Sequence, residues 1–272
     1  MPELPEVETT IRGLSFALSQ KISKIKIHTK KLRFKIPVFT KKILVNSKIS
    51  NIRRIAKYII VDLDNDYSLV FHLGMSGRLK SNFSKYKREK HDHFLIYFVN
   101  KTSLIFNDPR KFGFVDLAKT KNLYNKKYIS NLGIDALSPK LKPDNIYSKI
   151  SKSHVPIKQI LLNQKIIAGI GNIYASEILF DAKISPLTAG KHIEISLIMK
   201  LISSIKKILK KAIKYGGSSI RDYRSIDGTL GNFQSNFKVY NQAGKKIRND
   251  KVVKIIQYGR STYYCPNLQN NK

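Results

Sequence analysis

Residues 22–117 are written in short runs of β-branched and aromatic residues set between turn formers, and this constrains the fold more than anything else in the chain. Ile22-Ser23-Lys24-Ile25-Lys26-Ile27 and residues 49–55 alternate apolar with polar residues, the two-residue period of a strand with one buried face. Lys57-Tyr58-Ile59-Ile60-Val61-Asp62-Leu63 turns on Asp64-Asn65-Asp66 into residues 68–73. Further strands are expected at 94–98, 103–106 and 112–117. Short strands joined by short turns indicate an antiparallel sandwich or barrel.

The pattern changes near residue 119. Residues 119–130 are polar and lysine-rich, a linker by composition, and Leu132-Gly133-Ile134-Asp135-Ala136-Leu137 opens a helical half. Residues 156–163, 172–181 and 194–215 read as helices, and Val7, Ile11, Leu14 and Leu18 predict an earlier one over 7–18. In 194–215, Leu197, Ile198, Leu201, Ile202, Ile205, Ile208, Leu209 and Ala212 form one apolar stripe. Lys206, Lys207, Lys210, Lys211 and Lys214 face away from it, and Gly216-Gly217 stops the helix. Residues 237–240, 252–256 and 263–265 predict a closing β-hairpin unit. The expected class is α+β.

Lysine and arginine number 51 against 18 acidic residues, a formal net charge of +33. Such a field favours a polyanionic partner, of which nucleic acid is the commonest. No apolar run approaches the ~18 residues of a membrane span, and no charged-then-apolar leader opens the chain, so the cytoplasm is the expected location. The single cysteine, Cys265, rules out an internal disulfide and any multi-cysteine metal site.

The chemistry starts at Met1-Pro2-Glu3-Leu4-Pro5-Glu6-Val7-Glu8. With Met1 removed, Pro2 carries a free secondary amine, and an α-amino group titrates near ~7.7–8.0 rather than the ~10.4 of a lysine. Its neutral fraction can attack a sugar or carbonyl carbon and form an iminium adduct. Glu3 and Glu6 follow at once, and a carboxylate beside such an amine can move protons. The same residues would also cap a first helix.

Several later stretches carry further chemistry. Lys57 starts a strand. His72-Leu73-Gly74-Met75-Ser76-Gly77-Arg78 shows a methionine on a glycine-flanked turn, where it is either core filler or an apolar wedge. Asn107-Asp108-Pro109-Arg110-Lys111-Phe112-Gly113-Phe114 offers Arg110 and Phe112 two apart. An arginine can take the hydrogen bonds a displaced base leaves, and Phe and Met can part a base step, as enzymes acting on extruded bases require. Gly169-Ile170-Gly171-Asn172 leads a helix N-terminus suited to phosphate; a dinucleotide fingerprint would need a third glycine and a βαβ setting. Gly216-Gly217-Ser218-Ser219-Ile220-Arg221-Asp222-Tyr223 either closes over a flipped base or is a helix cap and turn. Arg260, in Gly259-Arg260-Ser261-Thr262-Tyr263-Tyr264-Cys265-Pro266, suits phosphate or minor-groove contact.

Taken together and in this order, MPELPEVE, HLGMSG, KHDHF, NDPRKFG, GIGNIYASE, GGSSIRDY and GRSTYYCP resemble the formamidopyrimidine-DNA glycosylase family along nearly the whole chain. The resemblance implies a β-sandwich catalytic domain with the first helix over 1–132. It also implies a helix-two-turn-helix DNA-binding domain over 133–235 and a hairpin finger over 236–272. It implies a bifunctional glycosylase/AP lyase of base excision repair, acting as a monomer on duplex DNA that contains an oxidised purine or an abasic site, in the bacterial nucleoid. Pro2 would be the Schiff-base nucleophile, Glu3 the acid/base, Lys57 the donor in β-elimination, Arg260 the donor in δ-elimination, and Glu6 an orienting group. Met75, Arg110 and Phe112 would fill the gap left by the extruded nucleotide. His91, Arg110, Lys158 and Asn172 would hold phosphates with Tyr174 beside them, and Ser218, Ser219, Ile220, Arg221 and Tyr223 would recognise the base.

The family usually ends in a finger of two C-x-x-C pairs around zinc. Here only Cys265 remains, so no metal and no cofactor is expected, and the finger would be held by Ile247, Val252, Ile255 and Tyr264. Two alternatives stand: an endonuclease VIII-like enzyme for oxidised pyrimidines, and a non-catalytic binder of damaged DNA.

Overall fold

The structure is a computed structural model that describes residues 2–38, 40–83, 86–219, 225–226 and 228–269. The chain forms two compact units, Met1–Ser130 with Tyr215–Asn232, and Asn131–Lys214 with Phe233–Lys272.

The first unit is an antiparallel sandwich. Strands β1 (Ile22–Ile27), β2 (Ile49–Ile55), β3 (Tyr58–Leu63), β4 (Tyr67–His72), β5 (Arg78–Asn82), β6 (Asp92–Phe98), β7 (Ser103–Asn107) and β8 (Phe114–Lys119) make two four-stranded sheets, ordered β1-β6-β7-β5 and β2-β3-β4-β8. The alternation in the sequence sends Ile59, Val61, Leu69, Phe71, Val115 and Leu117 of one sheet into one core with Ile22, Ile25, Phe94, Ile96, Leu104 and Phe106 of the other. Asp64-Asn65-Asp66 makes the β3–β4 turn, with Asp66 at φ 64°. The turn after β4 and the turn after β7 each cross from one sheet to the other.

Helix α1 (Leu4–Gly13) starts earlier than its apolar period suggests and ends earlier, passing into a 3₁₀ turn at Leu14–Ala17. A reciprocal capping box fixes its start: the Glu3 side chain accepts the Glu6 amide, and the Glu6 side chain accepts the Glu3 amide at 2.8 Å. Pro5 suits that first turn because it has no N–H to satisfy there. A short helix, α2 (Thr40–Leu44), lies between β1 and β2. Residues 119–130 are not an open linker. They form a 3₁₀ helix (Thr120–Asn125) and α3 (Lys127–Ser130), seated by buried Leu123 and Ile129.

The second unit opens on a strand, not a helix: β9 (Ile134–Asp135) pairs in parallel with β10 (Ile167–Ala168). Helices α4 (Pro143–Ile150), α5 (Ile157–Leu162), α6 (Asn172–Asp181) and α7 (Ile195–Lys214) follow. In α7 the stripe Ile198, Leu201, Ile202, Ile205, Ile208, Leu209 and Ala212 is buried, as its period requires. The chain closes with short β11 (Lys246–Ile247) paired to β12 (Asp250–Lys251), and hairpin β13 (Val253–Gln257) with β14 (Arg260–Tyr264).

Residues 237–240 are not a strand. The buried carboxylate of Glu177 on α6 accepts the amides of Lys238, Val239 and Tyr240 at 2.9, 2.9 and 2.7 Å, drawing the chain into a turn. Those donors are then unavailable to a ladder. Among the described residues no helix is long and apolar enough to cross a membrane.

Candidate functional site

In the sandwich unit the acidic opening is buried: Glu3 is 2% exposed and Glu6 1%. Glu6 joins two parts of the unit that are far apart in sequence. Its Oε2 accepts the Glu3 amide, and its Oε1 accepts the Ser218 amide at 2.8 Å and the Ser218 hydroxyl at 3.1 Å. Gly217 permits this approach: at φ 76°, a Cβ there would lie 2.9 Å from Glu6 Oε1. The segment closes on itself through an isolated bridge from Ser218 to Asn232 and a bond from the Gly231 amide to Ser219 Oγ at 2.9 Å. Ser218 and Ser219 thus form the closed base of the loop, while Ile220, Arg221 and Tyr223 lie outside the described residues.

Lys57 is 7% exposed, in the turn between β2 and β3. Arg54, which the sequence reading passed over, ties that turn to α1. Its Nε donates to Glu8 Oε2 at 2.8 Å and its Nη1 to the Ala56 carbonyl at 3.0 Å. His72 lies near Lys57 and stacks on Phe114 with ring centroids 5.5 Å apart. Burial, with the charges of Lys57 and Arg33 adding to it, lowers the His72 pKa to about 4. The ring is therefore neutral near pH 7, and its Nδ1 accepts the Gly74 amide at 3.2 Å.

The Met75 turn and the 108–113 turn sit side by side. Met75 is 40% exposed and Phe112 45%, which sets both apart from core filler. The Arg110 guanidinium stacks over the Phe112 ring at 4.8 Å. A Cβ on Gly74 would stand 2.4 Å from the Gly113 nitrogen, so the two turns meet backbone to backbone. His91, partly exposed at φ 72°, precedes β6.

In the second unit two of the expected DNA-binding residues are fully buried. Lys158 is 0% exposed, and its ammonium donates to the Ser261 carbonyl at 3.0 Å and Thr262 Oγ1 at 2.7 Å. It braces the β13–β14 hairpin through these two bonds. Tyr174 is also 0% exposed, its ring packed on Phe233 with centroids 5.7 Å apart, so it is core. Asn172 starts α6 as read, and its Nδ2 reaches the Ser261 carbonyl at 3.0 Å, leaving Oδ1 buried with no partner. Arg260 is exposed at the start of β14, just after the Tyr258-Gly259 turn, both residues of which have positive φ.

At the finger, Val239, Val252, Tyr263 and Cys265 form a buried cluster joined by Phe180, Tyr240, Ile247 and Leu268. Ile247 and Val252 are placed as expected. Tyr263 points inward where Tyr264 was expected, because it shares the strand face of Cys265, and Ile255 lies outside the cluster. Among the described residues no group of three or more His, Cys, Asp or Glu side chains could hold a metal.

Comparison with known proteins follows the same outline. Residues 1–115 match the family model described as formamidopyrimidine-DNA glycosylase N-terminal domain, and residues 132–224 that of its H2TH domain. The formamidopyrimidine-DNA glycosylase of Zymomonas mobilis is 44% identical over 271 residues, covering 99% of this chain and 100% of the relative. A Lactococcus lactis Fpg mutant bound to Fapy-dG-containing DNA superposes with a TM-score of 0.91 at 36% identity, covering 99% and 100% of the two chains. The same bacterium's enzyme in complex with abasic-site DNA gives 0.89 at 36% identity and the same coverage.

Proposed function

The chain belongs to the formamidopyrimidine-DNA glycosylase family, and from that premise we propose that it is a bifunctional glycosylase/AP lyase of base excision repair acting on oxidised purines in duplex DNA. The observation that carries this reading is the first turn of α1. There Glu3 and Glu6 are buried on a capping box, and the base of the 215–232 segment is bonded to Glu6. A surface helix start would have no reason to bury two carboxylates directly after a proline.

In the proposed reaction the Pro2 nitrogen, freed by removal of Met1, attacks C1′ of the damaged nucleotide as the bond to the base breaks. Opening of the sugar ring then gives the iminium. Glu3 moves the proton at the sugar and base. Lys57 serves β-elimination and Arg260 serves δ-elimination. Met75, Arg110 and Phe112 occupy the vacated stack, and His91, Arg110 and Asn172 contact phosphate. The 1–132, 133–235 and 236–272 divisions are proposed as catalytic, helix-two-turn-helix and finger domains. The protein would work as a monomer at the nucleoid, and the +33 charge suits that partner.

The finger residues do not fit the zinc ion this family usually binds. Cys265 is 0% exposed in an apolar cluster, and burial, with Asp250 adding to it, raises its thiol pKa to about 11, against the thiolate a metal needs. Leu268 stands at the x-x-spaced partner position. Asp250, whose charge acts on that thiol, is committed elsewhere: its carboxylate accepts the Asn267 amide at 2.7 Å, the Leu268 amide at 2.9 Å and Asn267 Nδ2 at 3.3 Å. We therefore propose a finger held by this carboxylate clasp and the apolar cluster, with no cofactor.

Borohydride trapping on a duplex with one 8-oxoguanine, followed by mass mapping of the cross-linked peptide, tests the enzyme reading. An adduct on the peptide starting at Pro2 is expected. Tight binding without an adduct would replace the enzyme with a damaged-DNA binder.

A further inference from the structure

The Met75 turn crosses from β4 to β5, and the 108–113 turn crosses back from β7 to β8. Pairing of β4 with β8 and of β5 with β7 puts the two crossings at one end of the sandwich, with His72 opposite Phe114 and Arg78 opposite Asn107. Between them lies Asp108, 0% exposed. Its Oδ1 accepts the Ser76 hydroxyl at 2.6 Å and the Arg110 amide at 3.3 Å, and its Oδ2 accepts the Gly113 amide at 2.8 Å. Ser76 follows Met75, Gly113 follows Phe112, and the Ser76 hydroxyl itself accepts the Arg110 amide at 3.2 Å.

We propose that Asp108 is a positioning residue that holds Met75, Arg110 and Phe112 as one preformed wedge. The proposal rests on reading those three side chains as the groups that enter the base stack.

The carboxylate is itself fixed. The Asp108 amide donates to the His91 carbonyl at 3.1 Å, and the Asp108 carbonyl accepts from His93 Nε2 at 2.8 Å. His93 Nδ1 pairs with the Thr29 hydroxyl at 2.8 Å, so an Nε2–H tautomer satisfies both ring nitrogens. A wedge must part a base step while two separate turns keep their spacing. Side chains on independently moving turns would lose that spacing and the binding energy that drives extrusion. One carboxylate accepting from both turns removes the freedom between them. The cost of burying this carboxylate is offset by the donors that both turns aim at it.

The test compares D108N, the double variant M75A/F112A and their combination. Two rates are read: single-turnover excision from an 8-oxoguanine duplex, and borohydride trapping on a single-stranded abasic oligonucleotide, which has no stack to part. Asn would point an amide N–H at the donors of Gly113 or Ser76. D108N is expected to slow duplex excision on the order of tenfold and to slow single-strand trapping far less. Added to M75A/F112A, it should slow duplex excision by less than about twofold more, since two of the three positioned side chains are already gone. Multiplicative losses, equal slowing on both substrates, or a wild-type D108N rate beside a slowed M75A/F112A would overturn the proposal and leave the wedge reading standing. M75A/F112A excising at the wild-type rate would remove the wedge reading, and the proposal with it. Should D108N not fold, S76A removes a single donor to the same carboxylate and carries the same comparison with a smaller expected loss.

Discussion

Glu6→Gln isolates the joint between the start of α1 and the base of the 215–232 segment. The carboxylate accepts from the Glu3 amide, the Ser218 amide and the Ser218 hydroxyl, at 1% exposure. Glutamine keeps one oxygen. If that oxygen stays with Ser218, the new NH₂ group faces the Glu3 amide, donor against donor, in a site sealed by Gly217. One bond to a charged acceptor is lost outright, ~1.5–3 kcal/mol, and the remaining two fall to neutral strength, about half of what they were. The total is on the order of 3 kcal/mol.

For a chain of this size that loss corresponds to a Tm lowered by about 6–12 °C. The glutamine amide also pushes on the Glu3 backbone, next to Pro2, so excision should slow by up to ~100-fold, the effect of displacing a reacting group by about 1 Å. Calorimetry and single-turnover excision on an 8-oxoguanine duplex read the two effects. An E6Q protein with a Tm within about 2 °C of wild type and an unchanged rate would refute the argument that this carboxylate joins the two segments.

Three further outcomes follow from the same geometry. His72 binds its proton at about pH 4 in the fold but near 6.5 when unfolded, so its contribution is present above the unfolded value and is lost as pH falls toward 4. That loss is at most about 3 kcal/mol, and urea midpoints should fall more steeply on acidification for wild type than for His72→Asn; parallel slopes would contradict it. Asp250→Ala should unfold the finger at lower temperature by removing the three bonds its carboxylate accepts from Asn267 and Leu268, about 2 kcal/mol or more, while a strong chelator leaves the wild-type Tm unmoved and metal analysis finds no zinc. Lys158→Met should keep the volume of the stem but release Ser261 and Thr262. The expected signature is an increased ratio of β- to δ-elimination product, read on a denaturing gel, with base excision less affected; an unchanged product ratio would detach Lys158 from Arg260.

The parts of the fold that are legible in the sequence are those dense enough in apolar residues to mark an element's extent. Strands β1 and β2 and helix α6 begin and end where the periods of residues 22–27, 49–55 and 172–181 place them. Strand β5 escapes a sequence reading because Arg78-Leu79-Lys80-Ser81-Asn82 holds one apolar residue, Leu79, and one apolar residue sets no alternation to read. Helix α4 was missed for a like reason: only Ile146 and Ile150 are buried in it.

The aromatic alternation at Phe237-Lys238-Val239-Tyr240 misled in the opposite direction. It is a good strand by composition, yet three of its amides bind the carboxylate of a residue some sixty positions earlier, in another element. That contact explains why local pattern fails where function begins. Glu6 with Ser218, Lys158 with Ser261, Glu177 with Val239 and Asp108 with Ser76 are each a buried polar or charged group joined to a partner remote in sequence. Hydrophobic period reports which face is buried, whereas these bonds are set by which donors the finished fold aims at one atom. Motif spacing can name Pro2, Met75 or Arg260, the groups proposed to meet DNA. The residues that hold them in place carry no period, and they become visible only when their donors are counted in three dimensions.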